Sequence, residues 1–379
     1  MTFLSKDQLS EGKPCLSQRG RAAMELLGNI QDVSSGYVRD IAQQQFESDV
    51  VGSELTKAEK PVDAKLDRER LAGAKQVANN IPSYRYERFL QRYVAEEVYY
   101  RGIPTVEERR SEFERLSLNS NSIDDGELHG SLELNSDTHI PSYYEGTDWH
   151  LEPGGYDGYD LYGDLFTHVA GPYVFKYGGY AAVPNRQDII SHRVNVMKRL
   201  PKDSYPTIYD AGCGGFSTLS AANKVYPGAE LIGCDISELL LKNGHAHAER
   251  IGVPVTFKQC DARETGETDG SMSAVVLYSV FHEMPQEVSI AILQEMYRIL
   301  EPGGDIVISD PPPFRAVDPF YAVILDWDTE HRGEPYFSEA GFSNWGEELR
   351  KIGFVNVSET ALDDNPMGYP WVTLGSKPA

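Results

Sequence analysis

A glycine-dense turn at residues 209–216 constrains the fold of this chain more than any other feature. The apolar segment Thr207 to Tyr209 predicts a buried strand, and it runs directly into the sequence D-A-G-C-G-G-F at residues 210–216. Glycines let the backbone approach a ligand closely and adopt positive φ angles. A helix predicted from Ser217 would direct its partly positive N-terminus at the same place. This pattern predicts a cradle for a nucleotide-containing cofactor.

A second predicted strand completes the unit around this turn. Residues 231–235 are apolar and end in an acid, Asp235, about 20 residues after the first strand. An acid at that position is the usual group for holding ribose hydroxyls. Strand, glycine turn, helix, strand and acid therefore form one βαβ unit.

The residues around the glycines indicate which cofactor the unit holds. A dinucleotide fingerprint requires G-x-G-x-x-G, but Ser217 occupies the third glycine position, and the Lys-Ser/Thr pair of a P-loop is absent from the turn. An acid, Asp210, also stands two residues before Gly212. The pattern D-A-G-C-G-G-F resembles the first motif of class I S-adenosylmethionine (SAM) dependent methyltransferases, with Phe216 where that family usually has a third glycine. Because SAM has no pyrophosphate, the resemblance implies that Asp210 faces the methionine ammonium.

Later segments extend the resemblance over the C-terminal half of the chain. Residues 255–262 resemble the third strand with its terminal acid, and residues 274–285 resemble the fourth strand and the loop where the acceptor meets the methyl group. A helix follows at 286–300 and a fifth strand at 305–309, and the segments 354–359 and 370–375 resemble the antiparallel hairpin that closes the sheet. The implied fold is the Rossmann-like α/β class I methyltransferase fold with a seven-stranded sheet. The implied cofactor is SAM, and the residues implied to bind it are Asp210, Gly212, Cys213, Gly214, Asp235, Ile236, Asp261, Ala262 and Tyr278.

The residues after the fourth strand contain the main catalytic candidate, His282. The sequence F-H-E-M at 281–284 resembles the His-Asp-Trp segment of small-molecule O-methyltransferases from plants and bacteria, although Glu283 and Met284 replace its Asp-Trp pair. Histidine titrates near neutrality, so His282 is a candidate general base, with Glu283 orienting it. Two other interpretations stay open: His282 caps or packs beside the following helix, and Glu283 is a solvated acid favoured by the helix dipole.

Composition excludes several classes of partner. With 379 residues the chain exceeds one ordinary domain, and 58 acidic against 35 basic residues give a formal charge of −23. That charge would repel a phosphate backbone, so nucleic acid is not an expected substrate. Solubility explains the acidity most simply, and attraction of a cationic substrate is the other explanation. The sequence has neither an 18-residue apolar run nor a signal peptide pattern, which predicts a cytoplasmic protein that does not enter the membrane.

The cysteines give no disulfide or metal signature. Cys15, Cys213, Cys234 and Cys260 lack C-x-x-C spacing, and the other candidate ligands show no specific spacing either, so no metal is expected. The last three lie near the ends of the first three strands. Binding of a soft metal or redox sensing is one interpretation, and simple packing of small buried residues is the other.

The N-terminal half predicts a mainly helical domain. Residues 19–45 and 63–115 have the periodicity of amphipathic helices, and Pro104 is predicted to interrupt the second. A polar stretch at 117–136, rich in Ser, Asn, Asp and Gly, predicts a linker or exposed loop. The expected domains are a helical domain at 1–116, a linker at 117–140, an aromatic-rich segment at 141–182 and the SAM-binding domain at 183–379.

The aromatic-rich segment supports two interpretations. Between Tyr143 and Tyr180 aromatic residues alternate with two Gly-Gly pairs, a pattern too glycine-rich for one helix. The segment is either a wrap that packs rings on the core or a lid that covers cofactor and acceptor, because long loops with glycine hinges are often functional. The residues predicted to contact the acceptor are Tyr159, Tyr162, Phe281, Trp327 and Tyr336.

Together these features predict a methyltransferase. The expected reaction is in-line transfer of the SAM methyl group to an oxygen, or less readily to nitrogen, sulfur or carbon, of a small metabolite, with an aromatic ring as one option. The resemblance to small-molecule O-methyltransferases also makes a homodimer an expectation. The alternative is a SAM-binding protein that does not methylate: a regulatory subunit, a sensor, or an enzyme that uses the fold for another rearrangement.

Overall fold

The computed structural model of the chain describes residues 16–61, 63–118, 129–178, 189–362 and 368–379. Cys15, Tyr180, the expected domain boundary at residue 183 and part of the expected linker lie outside the described residues. The chain divides into two compact units. Unit 1 comprises Met1–Asn119, Asp148–Gln187 and Phe314–Glu334, and unit 2 comprises Ser120–Thr147, Asp188–Pro313 and Pro335–Ala379. These units are discontinuous in the chain, whereas the domains expected from the sequence are consecutive.

Six of the longer helices begin at clear sequence signals. The longer helices are α1 (Gln18–Val33), α2 (Arg39–Ser48), α3 (Val50–Lys57), α4 (Ala64–Ala78), α5 (Pro82–Glu107), α6 (Arg110–Leu118), α7 (Ile189–Met197), α8 (Ser217–Val225), α9 (Glu238–Arg250), α10 (Gln286–Ile299), α11 (Pro319–His331), α12 (Phe337–Phe342) and α13 (Trp345–Ile352). Six of them, α1, α3, α4, α9, α11 and α13, follow a Ser, Asp or Asn whose side chain accepts a backbone N–H of the first turn. Such caps satisfy donors that the helix itself leaves unpaired.

The strands form one eight-stranded sheet in unit 2. They are β1 (Ser131–Glu133), β2 (Thr207–Ala211), β3 (Glu230–Asp235), β4 (Thr256–Gln259), β5 (Met272–Tyr278), β6 (Leu300–Asp310), β7 (Val355–Ala361) and β8 (Trp371–Ser376). Their order is β1-β4-β3-β2-β5-β6-β8-β7. The strands β1 to β6 pair in parallel, and β8 pairs antiparallel with both β6 and β7. The predicted α/β fold with an antiparallel closing hairpin is confirmed.

The sheet has one strand more than the seven that were predicted. The strand β1 comes from the stretch that the sequence predicts as a linker, and it pairs with β4 at the edge of the sheet, with Ser131 opposite Thr256. It is only three residues long, and Leu132 alone packs against the apolar core of unit 2. A polar segment with a single apolar residue has no strand periodicity, so this element is defined by backbone pairing rather than by pattern.

Helices cover both faces of the sheet in unit 2. Alternate residues of β5 point to opposite faces: Val276 and Tyr278 join a core with α7, α8 and α9, and Val275 and Leu277 join a core with α10 and α13. All seven residues of β5 are buried. A parallel strand buried on both faces has a continuous apolar sequence, which is why the sequence predicted it well.

Unit 1 is built on helices α1 to α6. The aromatic segment contributes short helical turns between Trp149 and Tyr177 instead of one helix, as its glycines predict. Tyr159 and Phe175 are buried in a core that includes Val94 and Val98 of α5. These contacts favour the interpretation of this part of the segment as a wrap.

The helix α11 belongs to unit 1 although it follows β6 in the chain. Its Phe320 ring packs against Phe46, at 5.5 Å between centroids, and against Tyr84, at 6.0 Å. Lys75 of α4 forms an ion pair with the buried carboxylate of Asp326. Unit 1 is therefore completed by a segment that comes from the C-terminal half of the chain.

The longest helix, α5, differs from its prediction. Pro104 was predicted to interrupt it, and that prediction was wrong, because the helix continues to Glu107. Thr105 and Val106 of the last turn are buried, so packing outweighs the backbone hydrogen bond that proline cannot donate. Neither α5 nor any other helix among the described residues has the length and apolar character needed to cross a membrane.

Candidate active site

The glycine turn after β2 requires glycine for two separate reasons. Gly212 and Gly214 have φ angles of +69° and +55°, which disfavour residues with a side chain. A Cβ atom at Gly212 would also lie 2.5 Å from Cγ2 of Val280, closer than two carbon atoms can approach. By contrast, a Cβ atom at Gly215 would meet nothing within 4 Å, so the turn has open space on that side. The N–H of Cys213 donates to the carbonyl of Cys234, 2.9 Å away, which ties the turn to β3.

Asp235, at the end of β3, is held rigidly beside this turn. Its Oδ2 accepts the N–H of Gly214 at 2.8 Å, and its Oδ1 accepts the N–H of Ser237 at 2.9 Å. Each carboxylate oxygen has more than one lone pair, so both oxygens can still accept ribose hydroxyls. The neighbouring Ile236 carbonyl accepts from the side-chain amide of Gln259 at 3.1 Å, which links the ends of β3 and β4.

Asp210 is a buried carboxylate whose environment fits a cationic ligand. It is 1% exposed, and neither of its oxygens has a hydrogen-bond partner among the described residues. Burial raises the pKa of Asp210 to about 8; the nearby Arg193 opposes this shift and Asp235 adds to it. An unpaired buried polar group is costly unless a ligand satisfies it. The methionine ammonium of SAM is a group of the required charge, so the residues of this turn fit the cofactor.

Phe216 replaces the third glycine of the family motif without disrupting the turn. Phe216 precedes α8, is buried and packs its ring against His247 of α9, with 5.3 Å between centroids. The side chain thus belongs to the apolar core beside the sheet. A phenylalanine is tolerated here because its ring points into that core.

The predicted adenine-binding residues follow β4. The Arg263 guanidinium makes a forked ion pair with Asp261, with Nη2 2.6 Å from Oδ2 and Nε 3.0 Å from Oδ1. Cys260 donates its N–H to the carbonyl of Asp235 at 3.2 Å. Asp261 and Ala262 therefore lie near Asp235 at the carboxyl end of the sheet, and contact with the adenine amino group remains a prediction.

Tyr278, at the end of β5, is surrounded by residues that the sequence did not single out. Its hydroxyl lies 2.9 Å from the hydroxyl of Tyr369, and the guanidinium of Arg193 lies 4.2 Å from the centre of its ring. Arg193 also donates to Thr218 Oγ1 at 3.3 Å. It is on α7, which carries no recognisable motif, so the sequence offered no signal for this cation near Asp210.

His282 lies on a short 3-10 turn after β5 and is paired with a carboxylate. Its Nδ1 is 2.6 Å from Oδ1 of Asp310, and both side chains are buried. Asp310 ends β6, the parallel neighbour of β5, with Tyr278 in register with Ser309. The carboxyl ends of parallel strands meet at one edge of a sheet, which brings the two residues together. This pairing was not predicted, although the sequence shows an acid at the end of one strand and a histidine after the neighbouring strand.

Other groups surround this histidine in unit 2. Glu283 Oε1 is 3.9 Å from Nε2 of His282, and the Phe337 ring packs edge-on at 5.3 Å. Ser279, just before the turn, has a φ of +56°, an unfavourable angle for a residue with a side chain, and its N–H donates to the Ser309 carbonyl at 2.7 Å. Such strained residues concentrate at functional sites.

The residues predicted to contact the acceptor are distributed over both units. In unit 2, Phe281 is buried against Trp345, with 4.6 Å between ring centroids, and Tyr336 packs edge-on against Tyr143 at 6.1 Å. The placement of Phe281 is that of a core residue. In unit 1, Tyr159 donates to Glu107 at 2.8 Å, Tyr162 packs among Tyr156 and Phe166, and Trp327 lies 4.8 Å from the guanidinium of Arg88. Their contact with an acceptor remains a prediction.

The three described cysteines have free thiols. Cys213 and Cys234 are buried and Cys260 is half-buried, with its Sγ 3.9 Å from the hydroxyl of Tyr209. Burial raises the pKa of the Cys213 thiol well above its ordinary value. A buried, protonated thiol behaves as a small apolar group, which favours the packing interpretation for Cys213.

The sheet order, the glycine turn after β2, the acid that ends β3 and the acid that follows β4 define the class I SAM-dependent methyltransferase fold. Residues 208–304 match a family model described as a methyltransferase domain. The chain is 26% identical over 207 residues to the demethylmenaquinone methyltransferase of Anoxybacillus flavithermus, a match that covers 50% of this chain and 85% of the relative. The predicted class is confirmed: the chain carries a SAM-dependent methyltransferase domain, and SAM is the cofactor of that class.

Two further similarities are more partial. The carboxy-S-adenosyl-L-methionine synthase of Actinobacillus succinogenes is 32% identical over 112 residues, which cover 28% of this chain and 46% of the relative. The chain thus spans about half the length of this relative. The crystal structure of a SAM-dependent methyltransferase from Aquifex aeolicus has 16% sequence identity and a TM-score of 0.37, covering 50% of this chain and 93% of that chain.

Proposed function

We propose that this protein transfers the methyl group of SAM to an oxygen atom of a small metabolite. The observation that carries the proposal is the pair His282–Asp310, 2.6 Å apart, at the same edge of the sheet as the glycine turn. SAM supplies an electrophilic methyl group on a sulfonium. The protein must then align a nucleophile and remove its proton.

The cofactor would be held by groups with complementary charge. Asp210 would pair with the methionine ammonium, and the glycine turn would let the backbone approach the ligand closely. Asp235 would accept the ribose hydroxyls. The cation Arg193, which lies close enough to Asp210 to lower the pKa of that carboxyl, supplies a positive charge for the methionine carboxylate.

The proton of the acceptor would be taken by His282. A carboxylate only accepts hydrogen bonds, so Asp310 holds the proton on Nδ1 of His282 and leaves the acceptor lone pair on Nε2. Asp310 also stabilises the imidazolium that forms when Nε2 takes a proton. An acceptor hydroxyl would lose its proton to Nε2 as the oxygen attacks the methyl group. Asp310 acts through His282 and is therefore a positioning residue.

Two measurements test the proposal. Calorimetry measures the binding of SAM and S-adenosylhomocysteine. Mass spectrometry then detects S-adenosylhomocysteine released with a panel of phenols, alcohols, amines and thiols. We expect His282→Ala to bind SAM with unchanged affinity and to lose about 100-fold or more in turnover. Asp310→Asn should lower turnover and shift the pH profile, because it changes the charge beside the imidazole. The matched control is His129→Ala, since His129 is an exposed histidine of the same unit.

Full turnover by His282→Ala would contradict the base role and would return His282 to helix capping or packing. The alternative is an enzyme that modifies SAM without methylating an acceptor. The similarity to a carboxy-S-adenosyl-L-methionine synthase supports it, because the name of that relative gives a modified SAM as its product. Incubation with SAM and small carboxylic acids, without a methyl acceptor, distinguishes the two. A new SAM-derived mass without methylated acceptor would favour the alternative.

A further inference from the structure

A segment at residues 129–147, here called the strap, lies along the sheet edge of unit 2 and reaches the ends of β3 and β4. We propose that Tyr143 of the strap is a cofactor-binding residue that packs against the adenosine part of SAM. The proposal rests on the proposed SAM site and adds a residue from a stretch that the sequence divided between a linker and a lid.

The strap is first anchored at its N-terminal end. The strand β1 pairs with β4, and Ser131 donates its N–H to the Val255 carbonyl at 3.0 Å. The buried carboxylate of Glu249, on α9, accepts the N–H groups of His129 at 2.8 Å and Gly130 at 2.6 Å. Hydrogen bonds to a charged group are about twice as strong as neutral ones, so this end of the strap is firmly fixed.

A second anchor carries the strap to the carboxyl end of the sheet. Gln259, the last residue of β4, accepts the N–H of Asn135 through its side chain at 3.1 Å and the hydroxyl of Thr138 through its carbonyl at 3.1 Å. The same side chain donates to the Ile236 carbonyl at 3.1 Å. One glutamine therefore joins the strap to the two strand ends whose acids are predicted to hold ribose and adenine.

Tyr143 lies beside those acids. It packs on the same apolar cluster as Cys260 and Ala262, the residues on either side of Asp261, and its ring meets Tyr336 edge-on at 6.1 Å. Burial raises the pKa of the Tyr143 phenol to about 12, with contributions from the charges of Asp261 and Asp235. The phenol therefore stays neutral, and the ring is placed where both carboxylates act on it.

Adenosine is the part of SAM that suits this position. Adenine is a flat aromatic base, and a tyrosine ring next to it gains stacking and removes apolar surface from water. Asp235 and Asp261 supply hydrogen-bond acceptors for ribose hydroxyls and the adenine amino group on the same side. The methionine part would instead be bound by Asp210, before the glycine turn.

The test uses SAM and 5′-methylthioadenosine as probes, because the second keeps the adenosine and lacks the amino acid. For Tyr143→Ala we expect the affinity for both probes to fall by the same factor, about 10-fold or more. Tyr143→Phe should bind both normally, and Tyr143→Leu should resemble the alanine variant. Tyr144→Ala, at the next position of the strap, is the matched control and should change neither affinity. Asp210→Asn should weaken SAM only.

A direct measurement does not depend on how the variants fold. Photolabelling of the wild-type protein with 2-azidoadenosine-containing S-adenosylhomocysteine should mark a peptide from residues 129–147. Equal affinities for wild type and Tyr143→Ala, or a label found only outside this peptide, would overturn the proposal while leaving the SAM site in place. If wild type binds neither probe, the proposed function itself fails.

Discussion

At the scale of single residues, Asp210 is a buried group whose surroundings suit the charged ligand proposed for it. The fold buries a carboxyl group that has no hydrogen-bond partner among the described residues. An alanine or leucine at this position would cost the folded protein less, because burying a carboxylate removes its hydration. The proposed pairing with the methionine ammonium would offset this cost. The burial of Asp210 also makes the stability of the free protein depend on pH.

We predict that Asp210→Asn changes how stability depends on pH. Burial raises the pKa of Asp210 to about 8 in the folded protein, against 3.8 for the ordinary side chain. Between these two values the folded state keeps a proton that the unfolded state has lost. The contribution of Asp210 to the free energy of unfolding therefore falls as pH rises, by up to about 1.4 kcal/mol per pH unit. Asparagine does not titrate, so urea unfolding of the variant should lack this loss.

The comparison should be made at pH 5, 6, 7 and 8, with Asp203→Asn as the control, since Asp203 is exposed on the same unit. The free energy of unfolding of Asp210→Asn minus that of wild type should increase with pH, whereas the difference for Asp203→Asn should stay constant. A pH-independent difference for Asp210→Asn would show that Asp210 is ionised in the folded protein and satisfied by a group of the protein itself.

Some residues of the candidate site could be predicted from the sequence and others could not. The placement of the glycine turn, Asp235 and His282 at the ends of strands could be predicted, because each lies in a local pattern of a few residues. The contacts of Asp310 and Arg193 could not be predicted, because their partners lie far away in the sequence. His282 and Asp310 are 28 residues apart, and Arg193 and Thr218 are 25 residues apart. Only the parallel pairing of β5 with β6 places Asp310 beside His282. Partners across strands therefore need the sheet order before they can be assigned.

At the scale of elements, the edge strand β1 is the clearest departure from the prediction. The other seven strands of the sheet were recognised from the sequence, and their order follows the class I fold. The strand β1 is short and polar. Its position depends on Glu249 of α9, which accepts the N–H of His129 although it lies 120 residues further along the chain. A side chain that accepts two backbone N–H groups fixes an element without leaving a pattern in that element's own sequence.

We predict that Glu249→Gln releases β1 from the sheet. Glutamine has one acceptor oxygen in place of two, and its amide group would face a backbone N–H with another donor. The loss of a charge-assisted hydrogen bond to buried groups costs about 1–3 kcal/mol locally. Hydrogen exchange followed by mass spectrometry should show faster exchange in the peptide containing Ser131, whose N–H is bonded to Val255.

The control for this variant is Glu230→Gln, because Glu230 is an exposed acid at the start of β3 in the same sheet. Its exchange pattern should match wild type. If the strap places Tyr143, then Glu249→Gln should also weaken binding of 5′-methylthioadenosine, whereas Glu230→Gln should not. Unchanged exchange at Ser131 would mean that β1 is held by its pairing with β4 alone.

At the scale of the whole molecule, the chain is organised as two discontinuous units rather than as consecutive domains. The sequence predicted a helical N-terminal part and an α/β C-terminal part, since helical periodicity and buried strands are local signals. The sequence did not reveal that residues 314–334 belong to unit 1. The helix α11 in this segment is apolar on several sides and resembles a connecting helix between two strands. Its assignment depends on the helices against which it packs.

The helix α11 packs on α3 and α4, and its Phe320, Ile324 and Leu325 are at most 2% exposed. We predict that a fragment of residues 183–379, which contains α11 without those helices, exposes this apolar surface and aggregates. Each large side chain returned to water costs roughly 1.5–3 kcal/mol. The same fragment with residues 314–334 replaced by a flexible Gly/Ser linker should stay monomeric in size-exclusion chromatography with light scattering.

Fragments with Gly/Ser linkers also test whether the cofactor site functions without unit 1. The residues proposed to bind SAM, including Tyr143 of the strap, all belong to unit 2. A fragment that begins at residue 129, with the unit 1 segments 148–187 and 314–334 both replaced by Gly/Ser linkers, should keep the strap and bind SAM in calorimetry. The linker version of the fragment that begins at residue 183 lacks the strap and should bind SAM about 10-fold more weakly. If the unmodified fragments are monomeric and the linker versions aggregate, α11 contributes to the core of unit 2, and the division of the chain into these units is wrong.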